Sequence, residues 1–241
     1  MIQSFKRCET KYLLTLQQKE QLLDELGDML SPDRYGEYTI CNLYLDTDDF
    51  FLIQHSLDKP VYKEKLRLRS YGNASGEDRV FLEIKKKFRG VVYKRRITLP
   101  LLQAENYILD NIKPPDLDGY LEHQIFSEID FLMQKYRPEP KVYLAYDREA
   151  FFAPLVPELR ITFDRNIRSR WERLSLSQDN GASLLDTGVD DYRLMEIKCA
   201  EAVPTELAAV LSRMKIYPVS FSKYGNVYKQ HLLNKEVINE I

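Results

Sequence analysis

Apolar and polar residues alternate with period two along several stretches of this chain and recur near every 3.6 residues along others, and these two rhythms predict its elements. A strand over 5–14 runs up to Thr15, which reads as a helix N-cap with Gln18 completing a capping box. Leu16, Leu22, Leu23, Leu26 and Leu30 follow at helical spacing, predicting a helix over 16–30 that Ser31 and Pro32 stop. Strand-like runs come next at 38–46, 61–71, 79–87 and 90–99, with Arg89-Gly90 making the last two a hairpin. A helix is expected from Pro100 to Asn111, then a Pro-Pro loop at 114–115. A second helix spans 119–136, with Leu121, Ile125, Ile129, Leu132 and Tyr136 on one face. Strands resume at 141–148, 158–165, 167–175 and 192–199. Two short helices, 204–214 and one capped by Ser222 through Leu233, precede a tail, 234–241, expected to be loosely held.

There is no internal repeat, no low-complexity segment and no long linker, so the expectation is a single domain over 1–241. About eight strands without regular βαβ alternation predict an α+β fold: an antiparallel sheet or β-barrel with helices packed outside. Apolar residues at 44% supply a sizeable core, which argues against disorder. The cysteines Cys8, Cys41 and Cys199 form no CxxC pair and no disulfide framework, which fits a reducing compartment. The N-terminal segment has no apolar h-region and no stretch approaches the ~20 apolar residues that span a bilayer, so the expected location is cytoplasmic.

Net charge, at −2, gives no overall attraction to polyanions, so any anion site must come from placement. Successive strand side chains point to opposite faces, and here the polar faces are unusually cationic. Lys65, Arg67 and Arg69 share one face against Leu66 and Leu68. Glu83 and Lys85 lie with Phe81 against Val80, Leu82 and Ile84; Lys94, Arg96 and Thr98 align. Arg160, Thr162 and Asp164 oppose Leu159, Ile161 and Phe163, while Glu196 and Lys198 oppose Met195 and Ile197. Arg7, Glu9 and Lys11 align on the first strand, whereas Arg148 shares its face with Val142, Leu144 and Tyr146. These faces collect eleven cations (Arg7, Lys11, Lys65, Arg67, Arg69, Lys85, Lys94, Arg96, Arg148, Arg160 and Lys198) against four carboxylates, Glu9, Glu83, Asp164 and Glu196.

The helices at 16–30, 119–136 and 204–214 each need an apolar partner and would cover the other side of the sheet. A solvated face would normally intersperse its signs, because like charges opposed on neighbouring strands repel. If the sheet closes into a barrel, the cations line its lumen, and such a lumen suits an anion rich in phosphate: Arg supplies paired hydrogen bonds and Lys point charge. Other readings are weaker. Asp46-Thr47-Asp48-Asp49 fails the EF-hand pattern, because Phe51 stands where Gly is needed; a strand end leading into a helix cap explains it. Cys8 and Cys199 lack metal spacing and read as buried, inert thiols. Lys85-Lys86-Lys87 is not taken as a nucleic-acid patch, since Lys86 points away from its neighbours. Trp171 and the tyrosines read as packing residues.

Nine motifs, in order, carry a resemblance. They are Arg7-x-Glu9-x-Lys11-Tyr12, Tyr44-Leu45-Asp46, Lys65-Leu66-Arg67-Leu68-Arg69-Ser70-Tyr71-Gly72, Phe81-Leu82-Glu83-Ile84-Lys85, Tyr93-Lys94-Arg95-Arg96, Tyr146-Asp147-Arg148-Glu149-Ala150-Phe151, Arg160-Ile161-Thr162-Phe163-Asp164, Glu196-Ile197-Lys198 and Ser222-Lys223-Tyr224. From Arg7 to about Tyr228 the chain resembles the VTC domain, the polyphosphate-polymerase module of the triphosphate tunnel metalloenzyme superfamily. That resemblance implies a tunnel-shaped barrel that moves the γ-phosphoryl group of ATP onto a growing polyphosphate chain and releases ADP. It places Lys11, Arg67, Arg69, Lys85, Lys94, Arg148, Arg160 and Lys223 at the family's phosphate ligands, and Glu196 at its ligand for Mn²⁺ or Mg²⁺. Arg7 stands where the wider superfamily often has a first carboxylate, so a carboxylate-rich triphosphatase site is less complete here.

The expected catalytic set is therefore Lys11, Arg67, Arg69, Lys85, Arg148 and Lys223. Arg7, Lys65, Lys94, Arg96, Arg160 and Lys198 are expected to bind substrate, and Glu196 to hold the metal with Glu83 and Glu9. The partners are ATP and polyphosphate, with no nucleic acid. His55, His123 and His231 sit outside these motifs, consistent with a phosphate oxygen as nucleophile. A tripolyphosphatase or nucleoside triphosphatase, or a non-catalytic polyphosphate-binding module, are the competing functions.

Overall fold

A computed structural model describes residues 8–115, 117–200 and 202–239; Arg7, the first of the candidate cations, lies outside them. Along the chain run β1 (Cys8–Thr15), α1 (Leu16–Leu26), β2 (Ser31–Asp46), α2 (Phe51–Leu57), β3 (Tyr62–Tyr71), β4 (Arg79–Phe88), β5 (Val91–Pro100) and α3 (Leu101–Asp110). Then come α4 (Gly119–Tyr136), β6 (Glu139–Ala153), β7 (Val156–Arg170), β8 (Ser183–Leu184), β9 (Tyr192–Cys199), α5 (Thr205–Arg213) and α6 (Lys223–Asn239). This is the α+β class expected. The nine strands make one sheet, in the order β1-β9-β7-β6-β2-β3-β4-β5 with the two-residue β8 paired to β7, and the ladders of described register are antiparallel.

Several boundaries differ from expectation. The capping box at Thr15 and Gln18 forms, but α1 ends at Leu26 and a 3-10 turn, Gly27–Met29, replaces its last turn. β2 already begins at Ser31, seven residues before the predicted strand, because Pro32 near a strand's start removes little from the ladder. The strands expected at 158–165 and 167–175 run together in β7, which stops at Arg170; Asn166, at the predicted break, takes φ 49° and the strand continues. Leu121, counted in the apolar face of α4, is exposed, whereas Ile125, Ile129 and Leu132 are buried. α6 runs on to Asn239 through most of the tail expected to be loose. Cys8 is half-buried rather than buried, and pairs in register with buried Cys199.

The chain divides into two compact units interleaved in sequence, 1–39 with 146–167 and 185–222, and 40–145 with 168–184 and 223–241. The first unit packs Leu22 and Leu26 of α1 and Leu207, Val210 and Leu211 of α5 onto Leu159, Ile161, Phe163, Met195 and Ile197 of β7 and β9. In the second, Ala104, Tyr107 and Ile108 of α3 and Ile125, Ile129 and Leu132 of α4 cover Leu66, Leu68, Val80, Leu82, Ile84 and Ile97. Period-two alternation thus fixes which face each strand dries, and the amphipathic helices supply the cover. What remains on the other face of each strand is the charged set.

Candidate functional site

In the second unit, antiparallel register stacks the polar positions of β2, β3, β4 and β5 into rows. Asn42 faces Arg69, which faces Phe81, which faces Thr98; the next row is Tyr44, Arg67, Glu83 and Arg96. The row beyond it is Lys65, Lys85 and Lys94, three ammonium groups on three neighbouring strands. Glu83 is the hub of the middle row. Arg67 donates to Glu83 Oε2 at 2.7 Å through Nε and lies 2.6 Å away through Nη2, and its Nη1 donates to the Tyr44 hydroxyl at 3.1 Å. Arg69 donates to Asn42 Oδ1 at 3.1 Å and lies 3.7 Å from Glu83; Arg96 lies 3.9 Å from it. Burial pushes the Glu83 carboxyl up, but the Arg67 and Arg69 guanidinium groups and then Arg96 outweigh it and hold it below its ordinary value.

The same unit shows what braces this face. Asp46, fully buried at the end of β2, accepts from the backbone N–H of Thr47, Leu52 and Ile53 at 2.9, 2.8 and 3.0 Å, so it caps α2 as the sequence suggested. Burial pushes its pKa up against those bonds. Tyr224, the second residue of α6, donates its hydroxyl to Asp46 at 2.9 Å and stacks on Tyr44 with centroids 4.6 Å apart. Lys223 beside it is buried, and Lys65 reaches within 5.9 Å of the Tyr224 ring.

The first unit holds the other candidates around Glu196. Lys11 of β1 faces Glu196 of β9, which faces Thr162 of β7; one row over, Glu9 faces Lys198, which faces Arg160. Lys11 Nζ lies 3.4 Å from Glu196 and donates to the Phe221 carbonyl at 2.9 Å. Lys198 lies 3.2 Å from Glu196, and Arg148 3.9 Å. Arg148 makes a bidentate pair with fully buried Asp164, at 2.5 and 2.7 Å. Burial opposes the charge on Arg148, yet Tyr146, Asp164 and Glu196 hold its pKa well above the ordinary value. Arg160 is half exposed and donates to Asp33 at 3.2 Å.

The structure therefore brings Arg67, Arg69, Lys65, Lys85, Lys94, Arg96 and Glu83 together on one face, and Lys11, Arg148, Arg160, Lys198, Glu9 and Glu196 on another. Sequence reasoning placed Thr162 beside Arg160 and Asp164 without giving it a role, and missed Asn42 and Tyr44 as members of these faces. Their signal was the same alternation, hidden because they carry no charge; Asn42, Tyr44 and Asp46 alternate with Cys41, Leu43 and Leu45.

Among the described residues no three His, Cys, Asp or Glu side chains cluster as a ready metal cage. A hard divalent ion that keeps waters and phosphate oxygens needs only one or two protein oxygens, however. Thr162 Oγ1 is buried without a hydrogen-bond partner, in register with Glu196, so a carboxylate and an unused hydroxyl adjoin there. That pair fits Mn²⁺ or Mg²⁺ bound with substrate. The fit is poorer at Glu83, whose carboxylate is already engaged by Arg67 at 2.6 and 2.7 Å, and at Glu9, which is exposed and stands opposite Lys198.

Residues 6–232 match the model of the VTC domain. The chain belongs to this family, as its motifs suggested. Its fold is similar to that of a candidate adenylate cyclase from Bacillus halodurans, at 15% identity, TM-score 0.51, and coverage of 89% of this chain and 92% of that one. A candidate adenylate cyclase from Vibrio parahaemolyticus matches at 12% identity, with coverage of 93% and 98% and a TM-score of 0.47. No curated protein matches the chain in sequence. No helix among the described residues is long and apolar enough to cross a membrane.

Proposed function

We propose that this protein is a polyphosphate polymerase, which transfers the γ-phosphoryl group of ATP to the end of an inorganic polyphosphate chain and releases ADP. The observation that carries the reading is Glu83 in the middle row of the second unit, met by Arg67 and Arg96 of its own row and Arg69 of the row beside it, with three opposed lysines in the row on the other side. Guanidinium groups held in place by Glu83, Tyr44 and Asn42 suit paired hydrogen bonds to phosphate oxygens. The acceptor is a phosphate, so the reaction needs no Ser, Cys or His nucleophile.

In the step, a terminal oxygen of the growing chain forms a bond to the γ-phosphorus while the bridging bond to the β-phosphoryl group breaks, and ADP carries away the electron pair. Arg67 and Arg69, fixed by Glu83, Tyr44 and Asn42, hold phosphoryl oxygens in a set direction. Lys65, Lys85 and Lys94 offset charge along the chain, and Lys223 adds a buried cation from α6. Lys11, Lys198 and Arg160 bind phosphate in the first unit, and Arg148 is kept cationic and oriented by Asp164. Within the first unit, Glu196 and Thr162 would hold Mn²⁺ or Mg²⁺, which would supply charge neutralisation on a bound phosphate.

The test is purified protein with labelled ATP and Mn²⁺, resolved on a gel. A ladder of long chains is expected. Free phosphate alone would replace transfer by hydrolysis, and tight binding without turnover would make this a polyphosphate-binding module. Arg67→Ala is expected to lower the rate on the order of 10²–10³-fold; a folded variant within a few-fold of wild type would remove Arg67 from the site.

A further inference from the structure

We propose that Cys8 and Cys199 form a peroxide-responsive oxidation site, whose disulfide staples β1 to β9 at the open end of their ladder. The inference does not depend on what the charged faces bind.

Cys8 opens β1 and Cys199 closes β9, and the antiparallel register sets them directly opposite each other. Directly opposed residues of antiparallel strands have Cα atoms about 4.5–5.5 Å apart. That lies inside the range of about 4.4–6.8 Å that a disulfide spans. The two thiols are within hydrogen-bonding reach of each other. Cys199 belongs to the apolar cluster under α1 and α5, and Cys8 packs against it, so the pair sits on the reverse of the charged face. The sulfurs differ in access: Cys8 is half-buried, while Cys199 is 5% exposed.

Hydrogen peroxide therefore reaches Cys8 first. The Cys8 sulfur attacks one peroxide oxygen, the O–O bond breaks, and water leaves with the thiol proton. The Cys199 sulfur then attacks the sulfenic sulfur of Cys8, the S–O bond breaks, and a second water leaves with the second proton. Two thiols have lost two electrons and peroxide has gained them. Where thiols are kept reduced, such a bond is transient and suits redox sensing.

The staple falls where β1 needs it. β1 stands at one end of the sheet order, with β9 its neighbour. Tyr12 and Leu14 are buried and Thr15 leads into α1, whereas Glu9 is exposed and Thr10 half-buried. Between these halves, the Lys11 carbonyl accepts from the Val219 N–H at 2.7 Å. A disulfide at Cys8 ties the less buried half and fixes the register in which Lys11 meets Glu196 and Glu9 meets Lys198. It also closes a loop from position 8 to position 199, and long loops take more entropy from the unfolded chain.

The experiment treats the purified full chain with hydrogen peroxide, maps its cysteines by peptide mass, and follows melting and amide exchange with and without a dithiol reductant. A Cys8–Cys199 cross-linked peptide is expected, with a rise in Tm of about 5–15 °C. Exchange across 9–14 slows, and the reductant reverses all three. Cys41, fully buried and accepting from the Tyr143 hydroxyl at 3.1 Å, keeps its thiol. Cys8→Ser shows no cross-link and neither shift; the wild-type map decides the case if that variant misfolds. A Cys8 sulfinic acid, or a Cys8 disulfide between two chains, with the Cys199 thiol retained overturns the proposal. So does a wild type in which both thiols survive peroxide. A cross-link that leaves Tm and β1 exchange unchanged overturns the staple.

Discussion

Around Glu196 two further acids, Asp164 and Glu9, accompany the cations; around Glu83 three guanidinium groups converge on one carboxylate. In the first unit Arg148 has buried Asp164, Lys198 stands opposite Glu9, and Lys11 shares Glu196. In the second unit one carboxylate faces Arg67, Arg69 and Arg96, and the row on one side of it is Lys65, Lys85 and Lys94. A matched cluster holds its geometry without a ligand, which suits fixing a metal and a reacting group. A mismatched cluster is stabilised by whatever anion fills it, which suits gripping a polymer.

The sharpest way to break this contrast is Asp164→Ala, which leaves Arg148 buried with its bidentate partner gone; we expect a loss of about 3–5 kcal/mol by chemical denaturation. A loss below about 1 kcal/mol would mean that the first cluster is not self-neutralised. Glu83→Gln is expected to cost less, about 1.5–3 kcal/mol, as hydrogen bonds to a charged group are lost. It carries a pH signature. Because the folded protein holds Glu83 below its ordinary value of 4.5, that part of the stability is complete above 4.5 and lost as pH falls toward and through the lowered value. Denaturation curves between neutral and acid pH should therefore show a shallower acid-side loss in Glu83→Gln than in wild type. The smallest effect is Thr162→Val. Removing a buried hydroxyl that has no partner should leave stability within about 1 kcal/mol of wild type or raise it. Mn²⁺ affinity, read by titration with nucleotide present, should fall; unchanged affinity would take Thr162 out of the metal site.

The strand faces were legible in the sequence because alternation is a strictly local rule: Arg67 and Arg69 must share a side once Leu66 and Leu68 take the other. So was the start of α1, where Thr15 and Gln18 complete each other's hydrogen bonds. Less legible was anything that depends on which strands become neighbours. No residue type announces that Glu83 would meet three arginines, or that Thr162 would sit opposite Glu196, since register is decided by pairings far apart in the chain. The break expected between 165 and 167 was absorbed inside β7, because Asn166 accepts a left-handed backbone without ending the strand. α2 was seen only as a cap, because seven residues give too few turns for a periodic signal.

The hydrogen bond from Tyr224 to Asp46 joins positions 178 residues apart. A contact of that span forms late, because loop closure over such a distance precedes its reward. During synthesis, β2 to β5 can pair hairpin by hairpin, while the Tyr44 ring waits for its stacking partner until translation has passed residue 224. The nascent chain thus carries a cation face before it carries the tyrosine that braces it, and an early phosphate ligand could act as a folding template for that face.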